Sequence, residues 1–350
     1  MENRAMLVFD NAIKSEATRK AYHYALRKFC EWAKISTPEG LLQLKTDFLQ
    51  QILEDYLFHM KKRLSTSSIR TQINAIDLFL TLNDKEVRIK KLKKMYPETS
   101  KAGGGGFWSN EQIKTMLDGE SLRNKLIVNI LCASGVRVGS LPLLKIEHVS
   151  NVEYGCKKII VYFGTKDEYI AFVNASCSKL LDSYIESRRT VGESIKGSSP
   201  LLRSSFRIGI EPVKPMSYTS IKLVLYRMAC KVRGKNYGKY VRHSQAMSHS
   251  YRTRFITLCK SADNANISLI EKLAGHSGVV KLDNSYFKPS AAQLLGEYAK
   301  HMNTLMIDES QRIIQNQQEK ISELQDNKDR EIAELKQDIR NLYELLGKEK

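Results

Sequence analysis

The chain has 350 residues, 56 Lys+Arg against 38 Asp+Glu, a formal net charge of +18 and 42% hydrophobic residues. This length suits about two domains plus an appendage, and the apolar content excludes a wholly disordered chain. The positive surplus points to a polyanion as partner. No apolar run nears the ~20 residues that span a bilayer, and no Walker-type phosphate loop supports ATP-driven chemistry.

The charge is uneven. Residues 1–100 carry a net +6, residues 101–306 a net +15 and residues 307–350 a net −3. The first 14 residues lack a charged-then-apolar leader, so no secretion signal is expected. The six cysteines lie far apart with no CxxC pair. That spacing speaks against a zinc site or a disulfide framework and for buried thiols in a cytoplasmic protein.

Residues 10–84 predict a helical domain. Tyr22, Leu26, Phe29 and Trp32/Ala33 recur at helical spacing, as do Phe48, Ile52/Leu53, Tyr56/Leu57 and Met60, and Ile69, Ile73, Ile76 and Leu80. All of these are read as core. Residues 65–68, Ser-Thr-Ser-Ser, supply an N-cap for the last stripe. The polar faces carry Arg19, Lys20, Arg27 and Lys28, then Lys61, Lys62, Arg63 and Arg70. Residues 85–106 read as a basic linker, closed by the four glycines 103–106, which cost too much backbone entropy for a helix or strand.

Residues 107–306 predict a second domain, mainly α with a small β-sheet. It opens on a capping box, with Ser109 as cap and Gln112 reaching back. A buried helix follows from Leu122 to Ala133. Residues 157–163 and 169–174 read as a β-hairpin with Lys166 at its tip. Helices are expected near 175–190, 217–233, 250–262 and 266–275. In residues 307–350 apolar side chains step by 3 or 4 from Ile321 to Leu346, with one gap at Lys328 and one stutter. A helix over 311–346 would reach roughly 54 Å at about 1.5 Å per residue. It reads as a coiled coil pairing subunits, or as a single charged helix.

The order of the polar residues carries the chemistry. The chain reads ASGVRVGSL around Arg137, places Lys166 in a turn, then reads MSHSYRTRF with His249 and Arg252 three apart. It continues with KLAGHSGV around His276 and NSYF at Tyr286. This set resembles the tyrosine recombinases, the phage-integrase-like site-specific recombinases, over residues 107–300 and more weakly over 10–90. The segment YFKPSAAQLLGEYAKHM with its long following helix is similar to integrase-like proteins of archaea and their viruses. Two departures stand out: Ser140 occupies a position often acidic in the family, and the step from His276 to Tyr286 is one residue longer than usual.

The resemblance implies a site-specific recombinase or integrase that acts on double-stranded DNA as a homo-tetramer, two subunits active at a time. The two domains would embrace opposite faces of the duplex. No cofactor, metal or membrane is implied. Tyr286 suits the nucleophile that forms a 3′-phosphotyrosyl link, and His249 the base that takes its proton. Arg137 and Arg252 suit a forked phosphate clamp. Lys166 suits the acid for the leaving 5′-oxygen, with Lys157 and Lys158 as competitors. His276 suits a hydrogen-bond donor to a nonbridging oxygen. Lys235, Lys239, Arg242, His243 and Arg254 are open as DNA contacts or ordinary surface cations. Tyr251 is expected to pack. The rival readings are a non-catalytic DNA-binding regulator, a type IB topoisomerase-like relaxing enzyme and a coiled-coil scaffold.

Overall fold

The computed structural model describes residues 4–98, 106–206, 213–234, 247–276 and 286–308, and much of 313–341. It divides into two compact units, Met1–Ala102 and Gly103–Lys350.

The first unit is a bundle of α1 (Arg4–Ala12), α2 (Glu16–Ala33), α3 (Gly40–Gln43), α4 (Thr46–Lys61), α5 (Thr66–Leu82) and α6 (Ile89–Lys94). Helix α2 starts where the Ser15 side chain accepts the Thr18 N–H, and α5 where Ser65 accepts that of Ser68. The stripe Ile69, Ile73, Ile76 and Leu80 is buried against Phe9, Leu26, Phe29, Leu53 and Leu57. Burying side chains of this size stabilises by about 1.5–3 kcal/mol each before the ordering entropy is subtracted. One expectation fails: Phe48 is 53% exposed. The buried face of α4 starts one residue later, at Leu49, and runs through Leu53, Leu57 and Met60. A one-residue offset turns a helical side chain by ~100° and so takes Phe48 off the core face.

The expected linker also contains more structure than its composition suggests. Ile89 and Leu92 of α6 are buried in the same core, and Lys91 pairs with Glu54 at 2.7 Å. The basic residues 90, 91, 93 and 94 therefore sit on the outer face of a packed helix. Residues 99–105 fall outside the described set.

In the second unit the Ser109–Gln112 capping box forms and starts α7 (Asn110–Leu117). Helix α8 (Leu122–Ser134) buries almost every side chain from Leu126 to Ser134. Two 3-10 turns follow, Val138–Leu143 and Ile146–His148. A three-stranded antiparallel sheet then forms in the order β1 (Val149–Asn151), β2 (Lys157–Val161), β3 (Tyr169–Val173). Val161 lies opposite Tyr169, so residues 162–168 form the hairpin turn. Strand β1 has no counterpart in the sequence reading. It is three residues long, with no buried residue.

Helices α9 (Ala175–Thr190), α10 (Tyr218–Arg233), α11 (His249–Lys260) and α12 (Ile267–Leu273) fall where the pattern places them. Helix α13 (Ala291–His301) begins with a capping box, Ser290–Gln293, and its Tyr298 hydroxyl donates to the Ala133 carbonyl at the end of α8. In the tail the described residues 327–339 are helical, and Ile313, Ile321, Leu324, Ile332, Leu335 and Ile339 are exposed. Leu342 and Leu346 of the predicted stripe lie outside the described residues. All six cysteines are free, and five of them are buried. Among the described residues no helix is long and apolar enough to cross a membrane.

Candidate active site

Two glycine-ended helices build the site. Helix α8 ends at Gly135, whose φ of +61° suits glycine, and a Cβ there would stand 2.5 Å from the Phe255 ring. The chain then turns out to present Arg137. The Ser140 side chain and backbone N–H both donate to the Arg137 carbonyl, at 2.7 and 2.8 Å. The residue that replaces the family's acidic group thus ties the loop.

Helix α12 ends in a Schellman cap. Gly275 (φ +64°) donates its N–H to Lys272 O, and His276 donates to Glu271 O, both at 2.9 Å. A Cβ on Gly275 would lie 2.5 Å from the Tyr169 ring. The LAGH motif is therefore a tight turn seated on an aromatic floor supplied by β3.

The arginines join these two turns. Arg252 is 4% exposed, and its Nη1 donates to Gly135 O at 2.8 Å while Nη2 donates to Ala274 O. Arg137 is exposed and donates from Nη1 to Gly275 O at 3.1 Å. Each guanidinium has five N–H donors in all, so both retain donors for an anion. Burial, then the neighbouring Arg137, lowers the Arg252 pKa. Burial raises that of Tyr169, against the pull of Arg252 and Arg137. Two like charges held this close disfavour each other until an anion arrives.

Arg137, Tyr162, Lys166, Tyr169, Gly275 and His276 line one cleft of about 760 Å³. Lys166 reaches it from the hairpin turn, and among the described residues it has no ion-pair partner. Its competitor Lys157 is buried and bonded to Asn151 and Asp182, at 2.5 and 3.0 Å. His276 Nδ1 lies 2.6 Å from Glu271 Oε2, and the other carboxylate oxygen holds Lys260. Burial and the two arginines lower the His276 pKa, while Glu271 raises it. Burial alone would raise the Glu271 pKa, but its bonds to Lys260 and His276 more than offset this and lower it.

The structure thus brings Arg137, Lys166 and His276 into one cleft, with Arg252 joining the two turns that carry Arg137 and His276. His249 is exposed at the start of α11, and Tyr286 is 83% exposed; neither lines the cleft. Residues 277–285, between His276 and Tyr286, lie outside the described set. So do Lys235, Lys239, Arg242 and His243. Arg254 is no surface cation: it is 2% exposed and bonds Leu305 O and Asn110 Oδ1 at 3.2 and 2.8 Å. Tyr251 packs as expected, its hydroxyl on Met116 Sδ. The sequence reading missed Glu271. The available signal is positional, because a Schellman cap brings the side chains of its first and sixth residues together.

A mainly helical protein of two units thus presents Arg137, Lys166 and His276 at an open cleft, with Arg252 bonded beneath it, a cationic arrangement suited to holding a phosphate. In sequence this chain is similar to tyrosine recombinases. It is 25% identical over 267 residues to tyrosine recombinase XerC of Lactobacillus leichmannii, covering 71% of this chain and 81% of the relative. It is also 25% identical over 198 residues to XerC of Staphylococcus aureus, covering 53% and 64%. Among solved structures it shares its fold with the Tn1549 transposon integrase in complex with transposon right end DNA. The TM-score there is 0.56 at 15% identity, covering 85% of this chain and 98% of that one. A post-cleavage XerH–DNA complex gives a TM-score of 0.52 at 17% identity, covering 74% and 73%. No family model matches.

Proposed function

We propose that this protein cuts and rejoins duplex DNA at specific sites through a covalent 3′-phosphotyrosyl intermediate on Tyr286. The observation that carries this reading is the cleft in which Arg137, Lys166 and His276 converge, joined through Arg252. A scissile phosphate seated there meets two guanidiniums that remain charged and can fork onto its oxygens. The Tyr286 oxygen attacks phosphorus and the bond to the 5′-oxygen breaks. Lys166 gives that oxygen its proton, and His249 takes the proton of the phenol. The phosphotyrosyl bond keeps the energy of the phosphodiester, so rejoining needs no nucleotide hydrolysis.

Nicked suicide duplexes carrying a candidate site test this. A covalent adduct forms with the native protein and with Tyr251→Phe, and is absent with Tyr286→Phe. An adduct with Tyr286→Phe overturns the assignment, and tight binding without any adduct favours the regulator. The basic units make phosphate contacts, so affinity falls with salt by a slope of about −0.9 per phosphate neutralised.

The exposed apolar row on the tail supports self-association of the recombinase on DNA, with the acidic tail outside the DNA path.

A further inference from the structure

We infer that Glu271 is a positioning residue for the cleft: it fixes the ring of His276 through Nδ1 and lets that ring carry the proton that makes Nε2 a donor to the phosphate. This rests on the reaction proposed above and deepens it. The geometry is specific. His276 follows Gly275 in the Schellman cap, so its backbone N–H and its ring both meet Glu271, at 2.9 Å to the carbonyl and 2.6 Å to Oε2. An apolar contact commonly joins these two positions of the motif. Here a carboxylate and an imidazole take that place. Glu271 is itself buried and does not line the cleft, whereas His276 does. The carboxylate can only accept, so Nδ1 carries hydrogen and Nε2 is the ring nitrogen left for a ligand.

The charge of the ring is set by its surroundings. Arg252 and Lys260 face this region from α11, Arg137 from the loop after α8, and Lys272 from α12. Lys166, Asp167, Glu168 and Tyr169 face it from the hairpin. Burial and the two arginines lower the His276 pKa, against the pull of Glu271. A phosphodiester between the arginines offsets their charge. The imidazole then takes one proton from solvent at Nε2, and the resulting N–H donates to a nonbridging oxygen. The carboxylate that accepts from Nδ1 stabilises the imidazolium, as an orienting acid does for any histidine that must hold a proton.

Two readouts test this. In the free, full-length protein, nitrogen NMR follows the His276 ring through a pH titration. Glu271→Gln is expected to lower its midpoint by about one pH unit. Lys260→Met is expected to raise it, because the carboxylate then loses a competing cation. The second readout is single-turnover adduct formation on the suicide duplex. The ratio of wild-type to Glu271→Gln rate should grow about tenfold from roughly pH 6 to pH 8, and Lys260→Met should shift the alkaline fall upward. An unmoved His276 midpoint, or an equal rate loss at every pH, overturns the proposal and leaves Glu271 a packing residue. If Glu271→Gln does not fold, the sign of the Lys260→Met shift decides alone: upward supports the pair, and no shift or a downward one sinks it. Should the wild type form no adduct at any pH, the proposed reaction fails, while the titration still judges the pair.

Discussion

Arg252 and Tyr286 stand at opposite extremes of organisation. The arginine is 4% exposed, and its guanidinium is bonded to the carbonyls at the ends of two different helices. The tyrosine is 83% exposed. Charge that must meet a developing oxyanion works best when its orientation is fixed before the reaction. The nucleophile proposed at Tyr286, which would become covalently bound and later be released, gains nothing from being built into the core. Substitutions should therefore separate: those in the clamp should affect stability and rate together, and those at the nucleophile rate alone.

The largest effect is expected at Tyr286→Phe. Adduct formation should fall to background while folding stability, followed by urea unfolding, changes by less than about 0.5 kcal/mol. A marked loss of stability would mean the ring is packed after all. Next come the arginines. Arg252→Lys cannot reach both Gly135 O and Ala274 O, so it should slow cleavage by ~10²–10³-fold and destabilise by about 1–3 kcal/mol. Arg137→Lys should slow cleavage similarly with a much smaller change in stability. Equal stability losses for the two would erase the distinction between a buried strut and an exposed clamp.

Gly275→Ala should follow. Its Cβ would press the Tyr169 ring at 2.5 Å from a left-handed backbone, costing about 1–3 kcal/mol, and the displaced turn should slow cleavage through His276. The smallest effect on chemistry is expected from deleting residues 311–350. Synapsis of two sites in a native gel should weaken, while single-site cleavage stays near wild type. Normal recombination by the shortened protein at low concentration would contradict a role in assembly.

What the sequence made legible follows from how local each feature is. The capping box at Ser109 involves neighbouring residues and fixed backbone angles, so its geometry can be read from residue type. The motif around Arg137, Arg252 and His276 was legible as an order of residue types, but not as a set of bonds. The bonds from both guanidiniums to main-chain carbonyls join residues more than a hundred positions apart in two of three cases. Arg254 misled for the same reason, since its partners Asn110 and Leu305 are distant in sequence. Phe48 misled because two adjacent apolar residues at the start of α4 fit the same period, and only packing chooses Leu49. Helix α6 was masked by its lysines, although Ile89 and Leu92, three residues apart, provide its buried edge.

The proposed reaction depends on which oxygen attacks phosphorus. Trapping the adduct on a suicide duplex, digesting it with protease and nuclease, and sequencing the modified peptide by mass spectrometry identifies that atom's residue. A nucleotide linked through its 3′-phosphate to the peptide containing Tyr286 is the expected result. A link at Tyr162 or Tyr169 in the cleft, or at any side chain other than Tyr286, would contradict it.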